Sequence, residues 1–414
     1  MNYSALLSKL IRLSIGLTLV VIVLGAYTRI SDAGLGCPDW PGCYGQLNVP
    51  MKNDEIMRAS ALFPGHTIEP YKAWLEMIHR YVAGTLGLLI AAILVVSFKV
   101  PNIPKVWPSA LSLLVVFQAA LGMWTVTLKL MPIIVVLHLF GGFALLSLLL
   151  VFYLVSRPYC QQQGTEITKD GSQPQENLSY QGLHSASSFR KASLPKSSLQ
   201  KSSLRALSLQ TLSLQRMGWL SLSVLIVQIF LGGWTSSNYA ALVCTSLPLC
   251  EGDWWQAFNL SGAFTIFQHP LLMSGDSYEF GVLDYGSRMA IHLVHRFGAI
   301  ITAITLLFFA WRLVRFSSSR ALNRAAWSLV GLVVLQISLG IANVVMHLPV
   351  ILAVGHNLVA ALLLLNIVFI CTQLRLSYQP KIYQSKIIGQ AANHIQMRMI
   401  TKPSHITEQS KLSK

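Results

Sequence analysis

The sequence predicts an all-α polytopic membrane protein, with eight transmembrane helices forming two parallel four-helix bundles related by a pseudo-two-fold axis. Three observations predict it. Of the 414 residues, 53% are hydrophobic and only 11% are charged, where a soluble domain carries roughly 25% charged residues. Eight apolar runs reach about the length needed to cross a hydrocarbon core, near 10–30, 75–98, 107–128, 132–156, 217–236, 289–312, 325–346 and 349–372. The last four runs repeat the motifs of the first four in the same order.

The first run follows Lys9 and Arg12 and has no small-residue cleavage site before Thr28-Arg29-Ile30. It is expected to stay as a helix that also targets the chain. The connections between runs differ in charge. Segments 98–105, 157–216 and 312–324 and the C-terminal tail are basic, whereas loop 237–288 sets Glu251, Asp253, Asp276, Glu279 and Asp284 against Arg288 alone. Positive charge stays on the cytoplasmic side, so both termini are expected there and the long loops 31–74 and 237–288 outside. The net charge of +16 therefore reflects topology, with membrane lipid and no nucleic acid as its surroundings. The cysteines agree. Cys37 and Cys43 lie in the first outward loop, and Cys244 and Cys250 lie at the same spacing in the second. Cys160 and Cys371 sit singly at the opposite helix ends, as expected for an oxidising outside and a reducing inside.

The repeat is measurable by offset. Leu24-Gly25-Ala26-Tyr27-Thr28 matches Leu231-Gly232-Gly233-Trp234-Thr235 at +207, and the same offset carries Cys37 to Cys244 and Cys43 to Cys250. His79-Arg80-Tyr81 matches His295-Arg296-Phe297 at +216. Gln118, Leu121-Gly122 and His138 match Gln336, Leu339-Gly340 and His356 at +218, with one residue slipped at Pro132 and Pro349. The chain thus divides into an N-terminal half over 1–156, a cytoplasmic low-complexity linker over 157–216, a C-terminal half over 217–376 and a cytoplasmic tail over 377–414. The linker is rich in Ser, Gln and Lys and is expected to be mostly disordered, with an interfacial amphipathic stretch near 199–215.

Four histidines, His79, His138, His295 and His356, fall at one depth in repeated positions of apolar helices. An imidazole in hydrocarbon needs partners, and ionisable groups there are usually functional. A hydrogen bond to a neighbouring helix is the plain reading; metal ligation is the other. Zinc takes four ligands, but each half offers two. Two histidines from facing helices suit haem, whose iron takes one axial ligand on each face. Gly84, Gly87, Gly141, Gly142, Gly298 and Gly355 lie near these histidines in sequence and could give room to a flat macrocycle. Arg80 and Arg296 adjoin the ligands and could pair with propionates or snorkel to the interface. Gln118 and Gln336 recur in register and read as polar glue between helices.

The halves differ three residues before the first histidine of each pair, where Glu76 stands in one and His292 in the other. Residues at i and i+3 share a helix face, so Glu76 is expected to project toward the ligand of His79 as a candidate acid, base or cation stabiliser.

With GLGCPDWPGC over 34–43, the ExxHR motif from Glu76 to Arg80, the second HR at 295–296 and the paired His138 and His356, the chain resembles the bacterial haem A synthase family over roughly 10–156 and 217–372. The resemblance implies oxidation of the C8 methyl group of haem O to the formyl group of haem A for cytochrome oxidase assembly. It implies a haem b cofactor ligated by His295 and His356, a substrate haem at His79 and His138, and Glu76 as the catalytic residue. It links Cys37 and Cys43 to a disulfide and to reductant transfer; Cys244 and Cys250 then read as a structural disulfide staple. The partners implied are the farnesyltransferase that makes haem O and an electron donor, in a bacterial cytoplasmic (inner) membrane, with a homo-oligomer left open. Two other readings stand beside it. A di-haem cytochrome b-like carrier or quinol oxidoreductase would share the histidine pairs but leave Glu76 unexplained. A transporter of parallel repeats would want midplane charges in broken helices, and the predicted spans carry none near their centres.

Overall fold

A computed structural model describes residues 2–167, 198–266 and 277–400, with side chains placed over 2–157, 209–266 and 277–376. Among the described residues the regular structure is helical and there are no strands. Helix α1 runs Tyr3–Ile30, α2 Asn53–Leu62, α3 Pro70–Ser97, α4 Val106–Thr127, α5 Pro132–Ile167 and α6 Ser198–Ser237. After the short turns α7 Trp254–Ala257 and α8 Leu260–Ala263 come α9 Tyr285–Phe316, α10 Arg320–Val345 and α11 Val350–Ile400. Eight of these contain a stretch long and apolar enough to cross a membrane, each overlapping one predicted run.

Local chemistry explains the boundaries. The Asn2 side chain caps α1 by accepting from Ala5 N–H, and the Asp284 and Ser319 side chains do the same for α9 and α10. Pro70 and Pro132 open α3 and α5, where the missing N–H costs nothing. The α4–α5 and α10–α11 turns each carry two left-handed residues: Lys129 and Leu130 after α4, His347 and Leu348 after α10. Their amides close the same pattern of bonds. Leu130 N–H donates to Thr125 O at 2.8 Å and Leu348 N–H to Asn343 O at 2.7 Å. Likewise Ala33 N–H donates to Thr28 O at 3.0 Å, and Ala240 N–H to Thr235 O at 2.9 Å. These orphan-carbonyl caps are found at residues related by the sequence offsets.

In the first half α1 packs on α3, α3 on α4, α4 on α5 and α5 on α1; in the second, α6, α9, α10 and α11 close a ring in the same order. The halves meet where α5 and α1 pack on α11 and α5 on α6. One buried cluster joins them, with Ile22, Phe143 and Leu146 against Leu225, Ile229 and Val359, while Leu7, Ile11, Ile90, Leu149 and Phe152 fill the first half alone. Large apolar side chains remain exposed around the girdle, among them Leu88, Leu113, Ile304 and Trp327, as a surface solvated by lipid tails requires.

The ends of the expected linker are continuous with the neighbouring helices, and the amphipathic stretch near 199–215 lies in the first turns of α6. Helix α5 continues to Ile167 and α6 starts at Ser198, so both flanks are helical. The Ser-Leu stretch contains no Gly or Pro from Ser198 to Arg216, and its polar composition ends the membrane span without ending the helix. The central part of the linker, 168–197, lies outside the described residues. Helix α11 likewise runs past the expected span to Ile400.

Candidate functional site

Each of the four histidines rests its ring on bare backbone of a facing helix. A Cβ on Gly25 of α1 would stand 2.9 Å from His79 Cε1, and one on Gly122 of α4 would stand 3.2 Å from His138 Cε1. In the second half, Gly232 of α6 and Gly340 of α10 would meet His295 and His356 at 3.2 and 3.3 Å. Gly25 and Gly232 are related by the first offset, Gly122 and Gly340 by the third. The glycines the sequence singled out are not these seats. Gly84 and Gly87 face open space, and Gly141 and Gly298 face the amides of Gln118 and Gln228. A helical pattern groups residues on one element, and a seat on the facing helix requires knowing which helices pair.

The rings are also held by amides. Gln118 Nε2 lies 3.1 Å from His138 Nδ1 and donates to the His138 carbonyl at 2.6 Å. Gln228 repeats this at His295, at 3.1 and 3.0 Å. Gln336 Nε2 lies 3.1 Å from His356 Nε2. Gln118 and Gln336 therefore join helices as expected, but through the histidines. Gln228 escaped sequence reading because its repeat partner is Val21.

The structure brings His79 and His138 together, their ring centroids 6.5 Å apart and their planes at 74°. Two metal–nitrogen bonds of about 2 Å, plus the half-widths of two imidazoles, span roughly that distance. His295 and His356 are the corresponding residues of the other half, by the +216 and +218 offsets. Among the described residues no three His, Cys, Asp or Glu side chains gather as a bare ion would need. Two imidazoles fit a metal that brings its own equatorial nitrogens, which is what haem does.

A second cluster sits one turn from each pair, toward the long loops. Glu76 is 5% exposed. Its Oε1 accepts from Arg80 Nη2 at 2.5 Å and its Oε2 from the Cys37 amide at 2.9 Å. Arg80 Nη1 donates to the carbonyls of Asp39 and Pro41 at 3.0 and 3.3 Å and to that of Gly42. These carbonyls belong to the loop closed by the Cys37–Cys43 disulfide, whose sulfurs are 2.02 Å apart. The second half builds the same frame. Arg296 Nη1 donates to the carbonyls of Ser246 and Pro248, and its Nη2 to that of Cys244. The loop there is closed by Cys244–Cys250. Where Glu76 would stand, His292 Nε2 meets Arg296 Nε at 3.3 Å. The arginines thus hold the loops, and the two Glu76 oxygens are taken up by Arg80 and by the Cys37 amide of the disulfide loop. Outside the spans, Glu251 accepts from the Thr245 hydroxyl and from the Thr245 and Ser246 amides. The Thr245 hydroxyl first, then the amides, pull its pKa down to about 2.

Between the halves, Arg29 donates to the Ser236 carbonyl at 2.7 Å and stacks over Tyr239 at 4.1 Å. Tyr278 N–H donates to the Lys129 carbonyl at 3.0 Å. Both straps join residues far apart in sequence, and no motif marks them.

Comparison with known proteins follows the same lines. The family model described as cytochrome oxidase assembly protein (COX15-CtaA) matches residues 8–179 and 192–368. A haem A synthase of Shewanella oneidensis is 51% identical over 88% of this chain and 95% of its own length. A haem A synthase of Shouchella clausii is 24% identical over 83% of the chain and 89% of its own length, and one of a Caulobacter strain 26% identical over 84% and 90%.

Proposed function

We propose a function from one premise: the chain belongs to the COX15-CtaA family of cytochrome oxidase assembly proteins, in which its relatives are named haem A synthases. It is a membrane oxidoreductase that converts the C8 methyl group of haem O to the formyl group of haem A. The observation that carries this beyond family likeness is the break in the repeat at Glu76. Two halves share histidine seats, arginine frames and stapled loops, yet a buried carboxylate appears in one frame only.

His79 and His138 take the substrate haem, supported by their 6.5 Å ring separation. His295 and His356 hold haem b, which when bound supplies one-electron transfer. Arg80 keeps Glu76 fixed beside that substrate site and ties it to the Cys37–Cys43 loop. Arg80 and Arg296 lie toward the long loops, where a propionate would add to their carbonyl contacts. The halves, about 1–156 and 217–376, are read as related by a pseudo-two-fold axis, supported by the matching helix rings. The membrane is the bacterial inner membrane, with both termini cytoplasmic, supported by the basic connections on one side. The enzyme supplying haem O is a farnesyltransferase, and an electron donor and a homo-oligomer complete the setting.

The test is the haem content of membranes from cells that make haem O and express either the parent chain or Glu76→Ala. Haem A from the parent, with none from an equally abundant variant that still carries haem b, is expected. Bound haem without haem A from the parent would favour the di-haem electron carrier instead.

A further inference from the structure

A second break in the repeat concerns how firmly each histidine is held. Gln118 and Gln228 reach both the ring and the backbone carbonyl of their histidines. They can do so because each amide lies against a glycine: a Cβ on Gly141 would come 1.8 Å from Gln118 Oε1, and one on Gly298 would come 2.3 Å from Gln228 Oε1. Gln336 faces a helix with Val359 at the position matching Gly141, and its hydrogen bond to His356 is to the ring alone. At His79 both members of the pair are missing. Val21 stands where Gln228 does at +207, and Val82 where Gly298 does at +216. The polar group of α1 that meets the His79 ring is the Val21 carbonyl, already an acceptor in the ladder of α1. His79 Nδ1 is buried with no hydrogen-bond partner, as is His356 Nδ1, but the His356 ring is held at Nε2 by the Gln336 amide and no amide holds the His79 ring.

We propose that Gln228, seated against Gly298, is a positioning residue that keeps His295 on its iron permanently, and that Val21 and Val82 make His79 the ligand that lets go. This rests on the haem reading above. A histidine that ligates a metal is oriented by a partner at its other nitrogen, and losing that partner weakens the metal bond about 10- to 100-fold. Gln228 Oε1 has no hydrogen-bond partner, so either end of its amide can turn to Nδ1 as the ring's proton position demands. A site whose substrate is itself a haem must break an axial bond in each cycle. A retained cofactor must not. The division of amides matches that division of labour: His138, His295 and His356 are held by amides, and His79 is not.

The experiment loads the purified full-length protein in both halves with haem b and follows its transfer to excess apomyoglobin by the Soret band. The parent chain should lose haem in two phases, with the slow one absent from His356→Ala. Gln228→Leu should speed the slow phase about tenfold or more and leave the fast one alone. The transplant Val21→Gln/Val82→Gly should slow the fast phase by a similar factor, and it tests the proposal even if Gln228→Leu does not fold. Two occupied sites with equal off-rates in the parent, or a transplant with an unchanged fast phase, would overturn the proposal and leave the haem reading standing. A parent chain that binds no haem at all would overturn both.

Discussion

Arg80 holds Glu76 across a single helical turn, Nη2 to Oε1 at 2.5 Å, while its other terminal nitrogen gathers carbonyls of the Cys37–Cys43 loop. Both side chains are nearly enclosed, at 12% and 7% exposure. The carboxylate, the guanidinium and the stapled loop therefore stand or fall together. Arg80→Leu should strand the carboxylate and three carbonyls, with a cost on the order of 3 kcal/mol, seen as a lower thermal aggregation temperature in detergent. Arg80→Lys should recover part of the loss, because a lysine keeps the charge and lacks the fork.

Glu76→His makes the first frame resemble the second, where His292 already meets Arg296. The variant should fold and retain haem b, because the second half shows that this frame tolerates an imidazole. It should make no haem A. Haem extraction from membranes of cells producing haem O reads both quantities in one sample, and haem A from this variant would remove Glu76 from the chemistry.

The histidine seats predict a sharp contrast between glycines of one helix. Gly25→Ala puts a methyl 2.9 Å from His79 Cε1, whereas a methyl at Gly16 meets nothing within 4 Å. Gly25→Ala should shift the haem spectrum of the first site and lower its occupancy. Gly16→Ala should leave both unchanged and gain up to about 1 kcal/mol from helix propensity. Titration of each purified variant with haem b separates the two outcomes.

Glu251 offers a pH test away from the membrane. Its pKa lies at about 2 in the folded loop because the Thr245 hydroxyl and nearby amides bond the ionised form, against about 4.3 for a free glutamate. The lowered value means that its contribution to loop stability is fully present above about pH 4.3 and is lost as pH falls through about 2. Thr245→Ala should move the midpoint upward, toward the free value. The carboxyl carbon shift of labelled glutamate, followed from pH 6 to pH 2, measures both.

Much of the architecture was legible in the chain. The apolar runs gave the spans, because a bilayer imposes length and composition directly, and the offsets paired Cys37 with Cys244 and His79 with His295. What stayed hidden depended on contacts between helices. Gly25 serves His79 from another helix, and nothing local to either residue signals it. Gln228 was invisible for the opposite reason: a search for matches passes over the position where the copies disagree, Gln228 against Val21. The polar start of α6 at Ser198 lies in the amphipathic stretch near 199–215, and its continuity with the span stayed hidden because hydropathy reports the membrane and is silent on helicity.

The hairpins at Lys129–Leu130 and His347–Leu348 close with corresponding bonds at corresponding residues. A scaffold that conserves its corners to this degree lets side chains change without moving the frame around them. Each half is then a naturally occurring variant of the other, made in the same membrane and at the same dose. Glu76 against His292, and Val21 against Gln228, are substitutions already made, and each carries its own control within one polypeptide.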